Sequence, residues 1–259
     1  MQFERTFDNA AKAYDESRPL YAPALYSDLF SYQPLDAGSR VLEIGLGTGK
    51  AAGPILKTGC RLTGVEPGGQ LAALAEEKFR DYPNFELQNK TLQEYQCEEG
   101  CFSLIYSATA FHWIPEEYGY RRVYALLSPG GTFARFAYHA GQDRGRAALT
   151  QEIEALYSAH MPRSGEYREF TKQDAEKLAR LAEGYGFIET RWYLYSVTKD
   201  FTAGQYMQLL STYPNHMSLP EESRRALFEG IYEAIEKHGG KITVYYTMDL
   251  ELARKSSVC

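Results

Sequence analysis

Val41-Leu-Glu-Ile-Gly-Leu-Gly-Thr-Gly-Lys50 is the stretch whose reading decides the fold. Four mostly apolar, β-favouring residues run into three glycines at alternate positions, Gly45, Gly47 and Gly49, and then into a helix-like segment. A strand that ends this way enters a ligand-binding turn. Glycine is needed where φ is positive, or where a ligand must reach the main chain without meeting a Cβ.

Outward from this stretch, strand and helix alternate. Strands are expected at 41–44, 61–65, 85–88, 102–107 and 132–137, and helices at 50–57, 70–79 and 116–127, the last closed by Ser128-Pro129-Gly130-Gly131. Alternation at this spacing requires right-handed crossovers and hence a mostly parallel sheet with helices on both faces. Before it, residues 3–32 read as one or two helices carrying Phe3, Phe7, Ala10, Ala11 and Tyr14 at helical spacing. Beyond Ala137 the rhythm changes. A long helix is expected over 143–160, a break at Met161–Gly165, and a helix to Glu183 opened by the capping-box pattern Thr171-x-x-Asp174. A strand over 187–198 follows, then helices opened by Thr202-x-x-Gln205 and Ser218-x-x-Glu221, and a last strand at 242–252.

Composition narrows the function. Hydrophobic residues at 44% and charged residues at 24% are globular values. No apolar run approaches the roughly 18 residues of a membrane span. The polar start, Met-Gln-Phe-Glu-Arg-Thr-Phe-Asp, lacks a basic and apolar leader, so a cytoplasmic protein is expected, without a membrane partner. A net charge of −6 argues against nucleic acid as the main partner, because phosphate binding draws on clustered Lys and Arg. Cys60, Cys97, Cys101 and Cys259 lack the paired spacing of a zinc site and read as reduced thiols, so no metal is expected.

Three pieces carry chemistry. The glycine loop is spaced Gly-x-Gly-x-Gly with an acid, Glu43, two positions ahead, whereas the dinucleotide fingerprint is Gly-x-Gly-x-x-Gly. This loop is not spaced to hold a pyrophosphate at a helix N-terminus. It suits a ligand with a cationic amino group near Glu43 and an uncharged edge along the glycines. Glu66, in Gly64-Val65-Glu66-Pro67 at the end of the second strand, stands where an acid accepts two hydrogen bonds from a ribose diol. The third piece, Ser107–Ile114, follows the fourth strand, with its side chains at the switch point of such a sheet.

Val41–Lys50, Gly64–Pro67 and Phe102–Ile114 together resemble the class I S-adenosylmethionine-dependent methyltransferases. Tyr14-Asp-Glu-Ser-Arg18-Pro19, Phe111-His112-Trp113 and the 200–252 tail resemble the trans-aconitate methyltransferase-like, or methyltransferase type 11, group. The resemblance implies a Rossmann-like α/β fold: a seven-stranded, mostly parallel sheet with the last strand antiparallel, helices on both faces and a helical lid. It implies one domain over 1–259, with an N-terminal helical cover at 1–33, a cofactor-binding core at 40–137, lid insertions over 140–240 interleaved with strand 187–198, and the last strand at 241–252.

Mapped onto this sequence, the resemblance gives Glu43, Gly45, Gly47 and Gly49 the methionine part of S-adenosyl-L-methionine, Glu66 the ribose, and Pro67, Thr91 and Leu92 the adenine side. Lys90-Thr91-Leu92 departs from the family by offering no carboxylate there; Gln93 and Glu94 are the alternatives. Ser107, Tyr14 and Arg18 complete the cofactor set. Phe111, Trp113, Tyr138 and Tyr21 are expected to wall the substrate, a small molecule acting as O, N or C acceptor, and S-adenosyl-L-homocysteine is the product. His112 is either a general base or a residue that shapes the pocket, because in-line methyl transfer by positioning needs no base when the acceptor is already an anion. A monomer or homodimer is expected. Two other readings stay open: a non-catalytic S-adenosylmethionine-binding protein and a NAD(P)-dependent oxidoreductase.

Overall fold

The computed structural model describes residues 11–161 and 168–257. Phe3, Phe7 and Ala10 of the expected first helix, Pro162–Gly165 of the expected break, and Cys259 lie outside the described residues. Two helices, α1 (Ala11–Ser17) and α2 (Pro23–Tyr32), precede the sheet; Pro23 opens α2, where its missing N–H costs nothing.

The opening stretch becomes β1 (Arg40–Ile44), a strand whose last four residues are all buried. In chain order α3 (Ala52–Leu56), β2 (Arg61–Val65), α4 (Gly69–Phe79), β3 (Phe85–Gln88), β4 (Phe102–Ala108), α5 (Glu116–Leu126) and β5 (Leu127–Gly141) follow. Then come α6 (Ala147–His160), α7 (Lys172–Glu183), β6 (Phe187–Thr202), α8 (Ala203–Leu210), α9 (Pro214–Met217), α10 (Glu221–Lys237) and β7 (Lys241–Lys255).

The strands form one seven-stranded sheet in the order β3-β2-β1-β4-β5-β7-β6. The four pairings from β3 to β5 are parallel, with Glu43 opposite both Gly64 of β2 and Tyr106 of β4. The last strand is antiparallel. Its start lies by the end of β5, where the Thr243 N–H donates to Asp143 beyond it, and its end lies by the start of β5, where Lys255 donates to the Leu127 carbonyl. The order reverses between β1 and β4, so β1 and β4 deliver their carboxyl ends to the switch point.

Several boundaries differ from the sequence reading for local reasons. Ser128–Gly131, expected as a turn, lies within β5 as a bulge: Phe102 pairs with Leu127 while Leu104 already pairs with Thr132, and Gly130 takes φ +76°. The helix expected from residue 143 begins at Ala147, because Asp143 folds back to accept the Gly145 N–H at 2.9 Å. The box expected from Ser218 does not form. Pro220 is the N-cap of α10, and the preceding residues make the separate turn of α9. The boxes at Thr171/Asp174 and Thr202/Gln205 do form.

The chain makes two compact units. The first comprises Leu20–Tyr138, Phe170–Tyr195 and Met248–Cys259. Its core includes Leu42, Ile44, Val65, Leu92, Ile105 and Phe133, all at most 4% exposed. The second comprises the residues up to Pro19, His139–Glu169 and Ser196–Thr247. There α10 packs on α6 and α8, and α1 packs on α8. Gly230 lets α10 approach closely, since a Cβ at that position would stand 2.6 Å from Leu156 Cδ2. Among the described residues no helix is long and apolar enough to cross a membrane, and no His/Cys/Asp/Glu group is arranged to hold a metal.

Candidate active site

In the first unit, β1 runs into the glycine loop with the backbone that glycine permits. Gly45, Gly47 and Gly49 have φ of +72°, +59° and +75°, a region that costs other residues energy. Their reasons differ. A Cβ on Gly45 would stand 2.4 Å from Ala110 Cβ, and one on Gly49 would stand 2.3 Å from the Phe79 ring, so these two permit close packing. A Cβ on Gly47 would meet nothing within 4 Å. Gly47 is thus the loop glycine with open space beside its backbone.

Glu66 locks the loop to the end of β2. Its Oε2 accepts the Gly47 N–H at 2.8 Å and its Oε1 accepts the Gly68 N–H at 2.7 Å, with the residue 4% exposed. These two backbone bonds, one to each oxygen, orient the carboxylate. Asn89 donates to the Glu66 carbonyl at 2.8 Å, and Pro67, half-buried, leads into α4. On the other side of the loop, Lys78 of α4 donates to the Thr48 carbonyl at 2.8 Å.

Glu43 is 1% exposed and accepts the Tyr106 hydroxyl at 2.6 Å. Burial pushes its carboxyl up to about 8; the Tyr106 hydrogen bond opposes the shift and the charge of Glu66 adds to it. Tyr106 is raised in turn by burial and by Glu43. The sequence reading missed Tyr106. Nothing local in the sequence marks it: the β1–β4 register sets Tyr106 beside the buried acid.

Beyond β3, Thr91 donates its N–H and hydroxyl to Glu94 Oε2, both at 2.9 Å, and Leu92 is buried in the core. Of the two alternatives for the adenine side, Glu94 therefore turns back onto Thr91, and Gln93 is exposed. Ser107 is fully buried and donates to the Ile44 carbonyl at 2.8 Å, tying β4 to β1 just below the loop.

At the end of β4, Thr109 takes φ +56°, a conformation that costs a β-branched residue of order 1–3 kcal/mol. It is held there by its N–H to the Phe136 carbonyl at 2.8 Å and by a 2.6 Å hydrogen bond between its hydroxyl and that of Tyr21. Tyr21 packs edge-on against Phe136, and its ring centre lies 5.9 Å from that of Tyr138. The Thr109 turn feeds the single 3-10 turn Phe111–Trp113. Phe111 points into the core against Tyr120 and Phe133, His112 is exposed, and the His112 and Trp113 ring centres are 4.8 Å apart. Tyr21, Thr109, Tyr138 and the loop are thus gathered at the carboxyl ends of β1, β4 and β5. Nothing in the composition of Ser107–Ile114 flags a left-handed threonine.

Tyr14 and Arg18 belong to the second unit. Arg18 is 6% exposed and donates Nε to Thr212 Oγ1 at 2.9 Å and a terminal nitrogen to the Thr212 carbonyl at 3.0 Å. Its guanidinium lies over the Tyr213 ring at 3.9 Å and over the Tyr14 ring at 5.2 Å.

A mostly parallel sheet with this strand order, an acid-preceded glycine loop after β1 and an acid at the end of β2 define the class I methyltransferase fold. Residues 41–131 match the family model described as a methyltransferase domain. Over 233 residues the chain is 24% identical to an uncharacterized methyltransferase of Schizosaccharomyces pombe, covering 90% of this chain and 88% of that one. A solved protein of Anaeromyxobacter dehalogenans superposes with TM-score 0.63 at 17% identity, covering 92% of this chain and 98% of the other. Phosphoethanolamine N-methyltransferase 2 of Haemonchus contortus, solved with S-adenosyl-L-methionine, superposes with TM-score 0.55 at 18% identity, covering 96% of this chain. This chain spans 57% of that protein's length. Residues 41–131 thus carry a methyltransferase domain, in a chain with the class I S-adenosylmethionine-dependent methyltransferase fold.

Proposed function

We propose that the protein methylates a small molecule, with the cofactor seated on the Gly45–Gly49 loop. The observation that carries this is the pairing of Gly47 with Glu66: the loop residue with open space before its backbone is fixed by the same buried carboxylate that the ribose position calls for. The residues present fit the group. Glu66 is oriented by two backbone N–H groups for a diol, Glu43 is a buried acid under the loop, and Pro67 and Leu92 border the adenine side.

When bound, S-adenosylmethionine supplies an electrophilic methyl on a sulfonium. The chain's part is positioning. Gly45 and Gly49 fix the loop path by packing on Ala110 and Phe79, and Ser107 keeps β4 and β1 in register beneath it. Tyr21 and Thr109 hold hydroxyls at the switch point, and His112 and Trp113 flank them on the 3-10 turn. His112, exposed, is the group in reach of a proton released from a hydroxyl or ammonium acceptor. The net charge of −6 supports a free small molecule over a nucleic acid, in a cytoplasmic protein.

Isothermal titration with S-adenosylhomocysteine tests the reading, followed by mass-spectrometric screening of alcohol, amine and acid acceptors. Binding and turnover of a soluble acceptor are expected. Binding without turnover against any acceptor, or transfer to tRNA or protein alone, would overturn it.

A further inference from the structure

Cys97 and Cys101 stand in the loop that leads into β4, in a Cys-x-x-x-Cys spacing that the candidate active site does not use. Both are half-buried, and both pack against the core of the first unit. The loop turns at Glu99–Gly100, where Gly100 takes φ +69° and a Cβ would meet nothing within 4 Å.

Helix α5 clamps the two arms of this turn. After it, the Gly100 N–H donates to the Ala125 carbonyl at 2.9 Å and the Cys101 N–H to the Leu126 carbonyl at 3.0 Å. Before it, Arg122 donates to the Tyr95 carbonyl at 3.1 Å. So held, the two thiols lie within hydrogen-bonding reach of each other, and Cys97 also lies against the Tyr95 hydroxyl. Cys60 gives the contrast: it is fully buried, and its thiol donates to the Ile55 carbonyl at 3.4 Å.

Burial pushes the Cys101 thiol up, and the Arg40 guanidinium at the start of β1 opposes that shift. Exchange through Cys101 is therefore slow near neutrality and quickens as the pH rises. The same disfavoured thiolate is a poor leaving group, which holds a bridge closed once it has formed.

We propose that Cys97 and Cys101 are a reversible redox modification site, closed to an intramolecular disulfide by a small-molecule disulfide. One protein thiolate attacks the small disulfide, forms a mixed disulfide and releases one thiolate of the reagent. The second protein thiolate attacks the protein sulfur of that mixed disulfide, forms the Cys97–Cys101 bond and releases the other. The pair gives up two electrons and two protons, and the small disulfide takes them up as two thiols. The inference does not rest on the methyl-transfer reading, and its readouts use neither cofactor nor acceptor, so the two fail separately.

The probe is oxidised glutathione. Trypsin, cutting after Lys90 and Arg121, places both cysteines in one peptide, 91–121, apart from Cys60 and Cys259. The folded full chain is equilibrated in glutathione redox buffers at about pH 8.5, quenched in acid, alkylated and read by mass spectrometry. Peptide 91–121 is expected lighter by two hydrogen atoms, without glutathione and without label, and dithiothreitol should restore both labels. The same equilibrium in the urea-unfolded chain measures what the Cys-x-x-x-Cys spacing supplies alone. Folding should favour the bridge by about tenfold or more over that value, because α5 holds the thiols together. By linkage, the unfolding constant of the bridged chain should be smaller than that of the reduced chain by the same factor. A bridge no more favoured than in the unfolded chain, glutathione retained on the peptide, thiols that stay labelled, or a bridged chain no more stable than the reduced one would each overturn the proposal.

Discussion

Replacing Glu43 with Gln tests the electrostatics beneath the glycine loop. The carboxyl is 1% exposed and its folded value is pushed up to about 8 from 4.5, chiefly by burial. A raised folded value means that its stabilisation is complete below about pH 4.5 and is lost as pH rises through about 8. At pH 7 the unfolded chain carries this group ionised while the folded chain holds it largely protonated. Folding must therefore take up a proton, at a cost of about 3 kcal/mol at roughly 1.4 kcal/mol per pH unit; at pH 5 the cost falls below about 1 kcal/mol. Gln keeps the shape and an acceptor for the Tyr106 hydroxyl, and carries no such linkage. Any fixed cost of its NH2 group offsets both measurements equally. Urea unfolding of both proteins at pH 5, 6, 7 and 8 should show the variant gaining about 2 kcal/mol on the parent between pH 5 and pH 7. A difference constant across that range would refute the reasoning, because it would mean that Glu43 is ionised in the folded protein as it is in the unfolded one.

Four further outcomes follow from the same geometry. At pH 7, titration of S-adenosylhomocysteine in two buffers of different ionisation enthalpy should show proton release, because an ammonium group beside Glu43 draws the buried carboxyl back to its ionised form; equal heats would count against that placement. Gly45→Ala should cost a few kcal/mol from its left-handed φ and the 2.4 Å approach to Ala110, and pairing it with Ala110→Gly should recover the steric share in a double-mutant cycle of thermal unfolding. Arg18→Lys, which loses the planar fork on Thr212 and the stacking on Tyr213, should lower stability by about 1–3 kcal/mol in denaturant, and an unchanged midpoint would show that the charge alone matters there. His112→Asn should reduce turnover while S-adenosylhomocysteine affinity is kept, with lost cofactor affinity and intact turnover speaking for a shaping role instead.

The sheet was legible because its signal is local. Apolar runs ended by glycines or acids at Val41–Gly45, Arg61–Glu66 and Phe102–Ser107 leave little choice of period, and the observed strands match them within a residue. What escaped was decided by contacts between distant residues. The Ser128–Gly131 bulge exists because β4 and β5 must pair on both sides of it, and a Pro-Gly-Gly run reads as a turn until that pairing is known. Pro220 capping α10 in place of Ser218 is a matter of where α9 ends. At the site, Glu43, Glu66 and the glycines announce themselves by spacing. The hydroxyl partners do not: Tyr106 is set by strand register, and Thr109 by a hydrogen bond shared with Tyr21, 88 residues away.

The measurement that tests the central claim most directly is S-adenosylhomocysteine affinity in Gly47→Ala. A Cβ there meets no protein atom within 4 Å, so the protein itself loses only the cost of a left-handed alanine, on the order of 1 kcal/mol, and its melting temperature should fall by a few degrees. The space that the Cβ enters is the space assigned to the cofactor. Affinity should fall at least tenfold, well beyond the change in stability; affinity equal to that of the parent protein would mean that the cofactor is not seated on this loop.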